Sequence, residues 1–412
     1  MKNNPIQRPP FLPFSAPSFD NSEAEELIAA LNSGWITTGP RTREFEKRFA
    51  EYIGVDEAVA TNSCTAALHL ALAALNVGPG DAVITTPFTF AATANVVVHQ
   101  RALPVFVDID PATYNLSPTK LQEFFEQRCV WNNNEKSLRL KTTGHRVRAI
   151  IPVHYGGQPC EMDPIAALAT RYNLEVIEDA AHAAGAQYHS RNVGTLGSMA
   201  CFSFYANKNM TTGEGGMLTT NDHELANRVR VLCLHGLSKD AWKRYSGEGT
   251  WRYDVVDAGF KYNLTDLASA LGLHQLRKLD GFIRRREELA KFYTESLRNI
   301  DGLTLPTVSP NSRSAWHLYP VLINSPSICR DEMIEELRKR DIGCSVHFIP
   351  LHLTSFYRQT FGYKRGDFPI AEQTFDQIMS LPLFPRMSDA DAETVVDEIR
   401  SILNSVHLAA AS

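Results

Sequence analysis

The sequence predicts an α/β fold built on a mostly parallel sheet, with a second, smaller domain. Segments of strand character alternate with segments of helical character between residues 58 and 234, and this alternation is typical of parallel sheets with crossover helices. A chain of 412 residues is longer than one hydrophobic core usually supports. We therefore expect a large domain over residues 1–300, which includes an N-terminal arm over residues 1–40, and a small α+β domain over residues 301–412.

Composition and charge exclude several classes of function. Hydrophobic residues make up 44% and charged residues 21% of the chain, as is usual for globular proteins. The net charge of -5 is spread without blocks of one sign, so neither a nucleic-acid surface nor a polybasic membrane patch is expected. The most apolar run, residues 65–75, is too short to span a membrane.

The cysteines and histidines do not indicate a metal site or a disulfide framework. The 7 cysteines are scattered and never spaced Cys-x-x-Cys, which favours a reducing, cytoplasmic location. His347 and His352 are five residues apart, the wrong spacing for two ligands on one helical face. No metal is expected.

Strands and helices follow one another regularly in the first half of the chain. Helices are predicted over 23–31 and 42–52, and a strand over 58–61 leads through a polar turn into a helix over 66–75. The remaining strands of the large domain are predicted over 81–86, 103–107, 147–153, 174–177, 199–204 and 217–220, and its helices over 91–100, 163–172 and 222–234. Residues 129–146 are polar without periodicity, and we expect them to form a surface excursion.

The last third of the chain is predicted to be more helical. Residues 263–266 cap a helix that runs to about residue 279, and a second helix spans 281–298. Further on, the pattern predicts strands over 316–323 and 344–347, a helix over 331–340, and closing helices.

One lysine lies on a turn between two predicted core strands. Lys208 follows the strand 199–204, and glycines at 213, 215 and 216 precede the strand 217–220. Glycines allow a backbone to approach a ligand closely. An amine at a fixed position, with its pKa lowered by partial desolvation and a cationic neighbour, is suited to Schiff-base formation with an aldehyde. An isolated lysine is far more often an exposed loop residue, so the catalytic interpretation depends on its neighbours.

Polar groups follow several of the predicted strands, where parallel sheets bind their ligands. Thr65 begins the helix after the strand 58–61, and the free N–H groups and dipole of that helix end can bind an anion. Simple capping by Ser63 or Thr65 would explain the same residues. Asp179 follows the strand 174–177, and Glu178 points to the opposite face by alternation. Asp179 alone would more often be a helix cap.

Together these groups describe a pocket for pyridoxal 5′-phosphate. The helix start at Thr65, with the hydroxyl of Ser203, suits the phosphate, and Lys208 suits the aldehyde carbon. Asp179 beside the pyridine nitrogen would keep that nitrogen protonated, which makes the ring an electron sink.

Four ordered motifs resemble the nucleotide-sugar (DegT/StrS-type) aminotransferases. They are Asn-Ser-Cys-Thr-Ala-Ala-Leu-His-Leu from residue 62, Pro-Val-His-Tyr-Gly-Gly-Gln-Pro from 152, Glu-Asp-Ala-Ala-His-Ala from 178, and Ser-Phe-Tyr-Ala-Asn-Lys from 203 with Thr-Thr-Gly-Glu-Gly-Gly from 211. The resemblance extends over residues 34–385. It implies an aspartate aminotransferase-like type I fold with a mixed seven-stranded sheet, and a homodimer with active sites at the interface.

The resemblance also assigns roles to individual residues. Lys208 matches the Schiff-base lysine and Asp179 the partner of the pyridine nitrogen. Asn263 matches a residue that reaches the phosphate of the partner subunit's cofactor; it could also cap the following helix, and its carboxamide could do both. The other implied cofactor contacts are His182 at the phenolate oxygen, Thr65, Ala66 and Ser203 at the phosphate, and Phe90 on the ring, with Phe88 as its alternative.

The reaction implied by the resemblance is a transamination in two halves. L-glutamate gives its amino group to the cofactor, and the nitrogen then passes to a keto sugar, with Lys208 as general base and acid. Residues 235–245 and 253–263 resemble the branch that aminates carbon 4 of a UDP-4-keto-6-deoxyhexose, and their cationic and aromatic groups suit a diphosphate and a sugar or base. The candidate substrate contacts are His235, Arg244, Tyr245, His347 and His352.

Other interpretations remain open at this point. Residues 235–245 could be an exposed loop with dispersed charge. The substrate could instead be a dTDP-keto sugar aminated at carbon 3, or a cyclitol. A regulatory protein that keeps the fold without the activity is disfavoured by the intact Lys208, Asp179 and Ser203.

Overall fold

The computed structural model describes residues 11–238 and 253–411. Seven strands, numbered here in chain order, form the main path of a central sheet, and their spatial order differs from their order in the chain. From one edge to the other they are β1 (Glu57–Thr61), β11 (Gly216–Thr220), β10 (Met199–Ser203), β7 (Glu175–Asp179), β6 (Arg146–Ile150), β2 (Asp81–Thr85) and β3 (Leu103–Phe106).

Six of these strands are parallel to one another, and β11 runs against both of its neighbours. Gly216, the first residue of β11, is paired with Thr61 on β1 and with Ser203 on β10. The predicted α/β fold with a mixed, mostly parallel sheet is confirmed.

Helices cover both faces of the sheet because successive residues of its strands pack into hydrophobic clusters on opposite faces, one cluster on one face and two on the other. The bounds of the helices are α1 (Asn21–Asn32), α2 (Pro40–Ile53), α3 (Cys64–Ala74), α4 (Ala91–His99), α5 (Pro118–Arg128), α6 (Met162–Arg171), α7 (His223–Cys233) and α8 (Asp266–Leu297). Val59 and Val83 pack with α3, α4 and α7, whereas their sequence neighbours Ala58 and Ala82 face the other side, towards α2, α5, α6 and α8.

The strands outside the central sheet form two small antiparallel sheets. One contains β12 (Leu303–Thr304), β14 (Tyr319–Ile323) and β15 (Ile378–Leu381), and the other contains β8 (Gln187–Tyr188), β9 (Arg191–Asn192) and β13 (Ser312–Arg313). The helices of this part are α9 (Arg330–Lys339), α10 (Ser355–Phe361), α11 (Pro369–Gln377) and α12 (Asp389–Ala411).

The segment 129–146 is more regular than its sequence indicated. Instead of an irregular excursion it forms a hairpin of β4 (Cys129–Asn132) and β5 (Ser137–Leu140). The side-chain oxygen of Asn132 accepts hydrogen bonds from the N–H groups of Asn134 and Glu135, which closes the turn. Cys129 packs with Leu138 and Leu140 in a hydrophobic cluster. Burial of this face stabilises the two strands, which the polar sequence of the segment did not predict.

The predicted break at residues 280–281 is also wrong, because α8 is one continuous helix of 32 residues. Glycine weakens a helix without forbidding it, and neighbouring turns of α8 are buried on both sides of Gly281. Leu279 and Ile283 belong to a cluster of the large sheet, and Leu289 and Tyr293 to the cluster around β14. The predicted domain boundary at residue 300 stays a prediction.

Two strand predictions near the C-terminus are corrected as well. The strand expected over 316–323 begins only at Tyr319, because Trp316 has a positive φ of 46°. The strand expected over 344–347 is reduced to a single bridge between Ser345 and Ser380. Within the part of the chain that the structure describes, no helix is both long and apolar enough to cross a membrane.

Candidate active site

A cavity of about 340 Å³ lies at the carboxyl ends of β7 and β10. Side chains from distant parts of the chain line it, from residues 63–68, 89–93, 179–182, 203–208, 214–215 and 347–348. This is the edge at which open parallel sheets bind their ligands.

Lys208 lies on the turn that joins β10 to β11. Its N–H donates to the carbonyl oxygen of Tyr205 at 3.0 Å, and Phe204 is bonded to Gly215 and Thr212 across the base of the turn. Burial lowers the pKa of Lys208 to about 8, against the opposing effect of Cys64 and Asp179. Among the described residues burial accounts for the shift, and the cationic neighbour expected from the sequence does not contribute.

Gly216 explains how the lysine turn comes close to helix α3. A β-carbon at this position would lie 2.5 Å from the carbonyl carbon of Ser63 and 2.6 Å from the nitrogen of Cys64. No side chain fits in that space. The glycine therefore allows the start of α3 to pack directly on β11, beside the cavity.

Asp179 closes β7 and is directed into the cavity. Its Oδ2 accepts a hydrogen bond from the Thr93 hydroxyl at 2.7 Å, and its Oδ1 accepts one from the Ala181 N–H at 3.2 Å. Burial raises the pKa of Asp179, while the Thr93 and Ala181 hydrogen bonds lower it. Glu178 is directed to the opposite face, where it accepts hydrogen bonds from the backbone N–H groups of residues 194, 196 and 197.

The start of α3 offers hydroxyl and backbone groups to the cavity. Ser63 caps the helix by accepting the Ala66 N–H at 3.1 Å, so the capping alternative is realised by Ser63 rather than by Thr65. Thr65 is exposed and Ser203 is half-buried, and both line the cavity. The structure thus brings Thr65 and Ser203 together, whereas the side chain of Ala66 is buried behind them.

The two candidate phenylalanines differ in environment. Phe90 lines the cavity, is 64% exposed, and has its ring centroid 6.1 Å from that of Phe348. Phe88 is fully buried in another cluster, against Tyr155. Only Phe90 is placed to contact a ligand in the cavity.

Two histidines line the cavity, His182 on the turn after β7 and His347 next to the bridge between Ser345 and Ser380. His182 Nδ1 accepts the Gly156 N–H at 3.2 Å, so its other nitrogen carries the proton in the neutral ring. Burial, with Lys208 and His347 nearby, holds the pKa of His182 well below its usual range. His347 also lines the cavity, and burial, with Lys208 nearby, lowers its pKa to about 4.

Other predicted site residues are not brought to the cavity. His352 is fully buried and hydrogen-bonded to Glu372 at 2.8 Å, which makes it a packing residue in this structure rather than a lining one. His235 is exposed on the chain after α7. Arg244 and Tyr245 lie outside the described residues.

Asn263 lies outside this cavity too, in a neighbouring depression with Asn62 and Leu271. Its carboxamide is bonded to the Thr38 hydroxyl and to the Lys261 amine, both at 2.6 Å. Thr265, and not Asn263, caps helix α8 by accepting the Ala268 N–H. The capping role that the sequence allowed for Asn263 is therefore wrong.

Sequence reasoning missed Thr93, Asn207 and Phe348 as lining residues. Thr93 follows Thr89 at the spacing of one helical turn. This repeated hydroxyl was the sequence signal that could have identified Thr93 as a lining residue. The Oδ1 atom of Asn207 is buried without a hydrogen-bond partner among the described residues. Phe348 follows the predicted residue His347 directly, and no pattern distinguished it.

Comparison with known proteins identifies the family. Residues 17–400 match the model of the DegT/DnrJ/EryC1/StrS aminotransferase family. The chain is 51% identical over 399 residues to the uncharacterized protein MJ1066 of Methanocaldococcus jannaschii, covering 96% of this chain and 99% of that protein. It is 48% identical over 396 residues to the spore coat polysaccharide biosynthesis protein SpsC of Bacillus subtilis, covering 95% and 97%.

A solved structure extends the likeness to the cofactor. The PLP-form of the putative sugar aminotransferase Spr1654 from Streptococcus pneumoniae superposes with a TM-score of 0.84 at 30% identity, over 96% of this chain and 99% of that one. The cavity fits the same cofactor: Lys208 has no hydrogen-bond acceptor for its amine among the described residues, and it shares the cavity with the Asp179 carboxylate and a helix N-terminus. The chain belongs to the DegT/DnrJ/EryC1/StrS aminotransferase family and is a pyridoxal phosphate-dependent transferase.

Proposed function

We propose that this protein transfers an amino group from L-glutamate to a nucleotide-linked keto sugar, at carbon 4 of a UDP-4-keto-6-deoxyhexose. The observation that carries the proposal is the cavity, in which a desolvated amine, a buried carboxylate and a helix N-terminus meet. The likeness to SpsC, named for spore coat polysaccharide biosynthesis, supports a sugar substrate. The resemblance of residues 253–263 to the carbon 4 branch supports the position.

Each part of the cofactor has a candidate partner in the cavity. Thr65, Ser203 and the start of α3, including the backbone of Ala66, would hold the phosphate. Asp179 would face the pyridine nitrogen, Phe90 would cover the ring, and the protonated ring nitrogen of His182 would reach the phenolate oxygen. When bound, the cofactor supplies an electron sink that makes a proton on the substrate carbon acidic.

The residues of the chain then bind the substrate and move the proton. Lys208 Nζ would accept that proton and deliver it to the cofactor carbon on the other side of the transferred nitrogen, and a pKa of about 8 keeps a useful fraction of the amine neutral near pH 7. The Lys208 side chain extends from a turn that is fixed between two core strands. The amine is therefore already oriented for proton transfer in each turnover.

A homodimer would give a role to residues outside the cavity. Asn263 and its depression lie apart from Lys208, and we propose that they face the cofactor of a second subunit in a homodimer. We further propose a cytoplasmic location, which suits seven cysteines that are all free among the described residues.

The test is an assay of purified protein with L-glutamate and a panel of nucleotide-linked keto sugars, with NMR to locate the new amine. We expect amination at carbon 4 of the UDP sugar, and an activity loss of about 10³-fold or more in Lys208→Ala. Lys120→Ala, at an exposed ion pair, is the control and should keep full activity.

Two outcomes would favour the other candidates. Amination at carbon 3 of a dTDP-keto sugar, or of a cyclitol, would replace the proposed substrate. Cofactor binding without transfer to any acceptor would indicate a regulatory protein, which intact Lys208, Asp179 and Ser203 speak against.

A further inference from the structure

Two buried threonines form a hydrogen-bonded chain that ends on Asp179. Thr89 Oγ1 and Thr93 Oγ1 are 2.8 Å apart, and Thr93 Oγ1 is 2.7 Å from Asp179 Oδ2. Both threonines are 1% exposed, and both line the cavity. The contact between Thr93 and Asp179 joins the first turn of α4 to the end of β7.

When Asp179 is ionised, the direction of both hydrogen bonds is fixed. An ionised carboxylate can only accept, so the Thr93 hydroxyl must donate to it. A hydroxyl has one proton, so Thr93 can only accept from Thr89, which becomes the donor of the second bond. Hydrogen bonds arranged head to tail in this way polarise and strengthen one another.

Thr93 supplies a contact that the other groups around Asp179 do not. The other donor to this carboxylate among the described residues is the Ala181 N–H at 3.2 Å, a longer bond. His154, after β6, directs its ring nitrogens to Glu178 and to the Cys160 N–H. Lys208 acts on Asp179 through its charge without a hydrogen bond.

We propose that Thr89 and Thr93 are positioning residues that keep the Asp179 carboxylate ionised and aimed at the pyridine nitrogen of the cofactor. Phe90, the N-cap of α4, lies between the two threonines. One short segment therefore carries the ring proposed to cover the cofactor and the hydroxyls that orient its charged partner. The inference rests on the proposed role of Asp179 and is independent of which sugar is aminated.

The test replaces each hydroxyl in the full-length protein with a group of the same shape. In Thr93→Val we expect the affinity of the cofactor-free protein for pyridoxal phosphate to fall about tenfold or more, since a hydrogen bond to a charged group is lost. The absorbance maximum of the bound cofactor should shift, because the protonation of its ring nitrogen depends on the carboxylate. Thr93→Ser should restore both quantities. Thr89→Val should change both in the same direction by less.

Thr85→Val is the matched control. The Thr85 hydroxyl is fully buried on β2, donates to the Ile151 carbonyl oxygen at 2.8 Å, and does not line the cavity. This variant should lower the unfolding temperature about as much as Thr93→Val, yet leave cofactor affinity and absorbance unchanged.

Two results would overturn the proposal. One is a Thr93→Val protein whose affinity and absorbance maximum match the wild type, and the other is a Thr93→Ser protein no better than the valine variant. If Thr93→Val does not fold, Thr89→Val decides, since it keeps the contact with Asp179, and an unchanged affinity and spectrum would then refute the chain. A failure to aminate the proposed sugar would leave these binding measurements, and so the inference, untouched.

Discussion

Lys208 and Asp179 are two ionisable groups of one cavity, in which Asp179 is buried and Lys208 is half-buried. Burial lowers the pKa of the amine and raises that of the carboxyl, so each charged form is disfavoured. Burial of these two groups lowers the free energy of unfolding. The same burial makes the amine reactive and holds the carboxylate in a fixed position. Such displaced pKa values are typical of active sites.

The Lys208 amine makes the stability of the cofactor-free protein depend on pH. Its pKa is about 8 in the folded chain and 10.5 without burial. Below pH 8 the folded state bears the full cost of the buried charge, and this cost falls as the pH rises towards 10.5, because only the unfolded chain then holds the proton. Lys208→Met should therefore raise the free energy of unfolding at pH 7 by up to about 3 kcal/mol, with a smaller gain above pH 8.

Urea unfolding of the cofactor-free proteins at several pH values measures this effect. Lys120→Met, at an exposed lysine paired with Glu123, should show no comparable pH dependence. Parallel profiles for the two variants would contradict the assignment of a buried amine.

At this scale the sequence predicted Lys208 and Asp179 because each lies after a recognisable strand, and side-chain alternation distinguished Asp179 from Glu178. It did not predict Thr93, since the contact joins residues 86 positions apart, and a threonine in a helix is commonplace. Nor could it show that Phe90 and not Phe88 reaches the cavity. That choice depends on how the turn after β2 folds against Tyr155.

At the scale of elements, strand β7 presents two carboxylates to opposite sides of the sheet. Glu178 is fully buried and accepts hydrogen bonds from the N–H groups of Gly194, Leu196 and Gly197 at 2.8–3.1 Å. His154 is bonded to the same carboxylate at 3.0 Å. Glu178 therefore stabilises the loop 194–197 before β10 and holds in place the strand that carries Asp179.

Glu178→Gln should destabilise the protein by about 2–4 kcal/mol. The glutamine has an NH₂ group where the carboxylate has its second oxygen, so the backbone N–H groups that donate to that oxygen would lose their acceptor. Thermal unfolding measures the change. Glu175→Gln, at a half-buried site on the same strand, is the control and should have little effect. A Glu178→Gln protein as stable as the control would show that the loop is held by other contacts.

Substitution by alanine is expected to change the stability of the protein in opposite directions at two glycines of helix α8. At Gly281 the nearest atom to an added β-carbon is 3.9 Å away, whereas at Gly272 three atoms of the Phe45 ring lie within 3.0 Å. Gly281→Ala should stabilise the protein by about 1 kcal/mol through helix propensity. Gly272→Ala should destabilise it by about 1–3 kcal/mol through overpacking. Denaturant unfolding checks both, and a change of the same sign in the two variants would contradict the packing described for α8.

The sequence predicted most strands and helices of the large sheet to within a few residues. Its failures have physical causes. The hairpin of β4 and β5 is stabilised by burial of one face, and α8 remains continuous through Gly281 because its flanking turns are buried. The local sequence propensity does not show that the hairpin face or the turns around Gly281 will be buried.

At the scale of the whole molecule, α8 passes through the clusters of both the large and the small sheet. Arg286, fully buried on this helix, donates to the carbonyl oxygens of Trp316, His317 and Leu383. The helix thereby connects the two parts that carry Lys208 and His347. The sequence did not show this connection, because it indicated two helices.

Mixed dimers test whether Asn263 serves the cofactor of a second subunit. Lys208→Ala and Asn263→Ala should each be inactive alone. A mixed dimer would contain one site with both changes and one intact site, so an equal mixture exchanged at random should recover about one quarter of wild-type activity. The assay is transamination after subunit exchange, with sedimentation to establish the dimer. No recovery on confirmed exchange would place Asn263 in its own subunit's site.

The reversed strand β11 fixes the length of the segment that carries the reactive amine. Because β11 must return beside β10 with Gly216 opposite Ser203, one residue inserted within 204–215 would exchange the two faces of the returning strand. In that register Gly215 would replace Gly216 beside the Ser63 backbone, and Glu214 would take the position of Gly215, where a β-carbon would lie 2.2 Å from Thr212 Oγ1. We therefore expect the segment 204–215 to keep its length in every active variant of this enzyme.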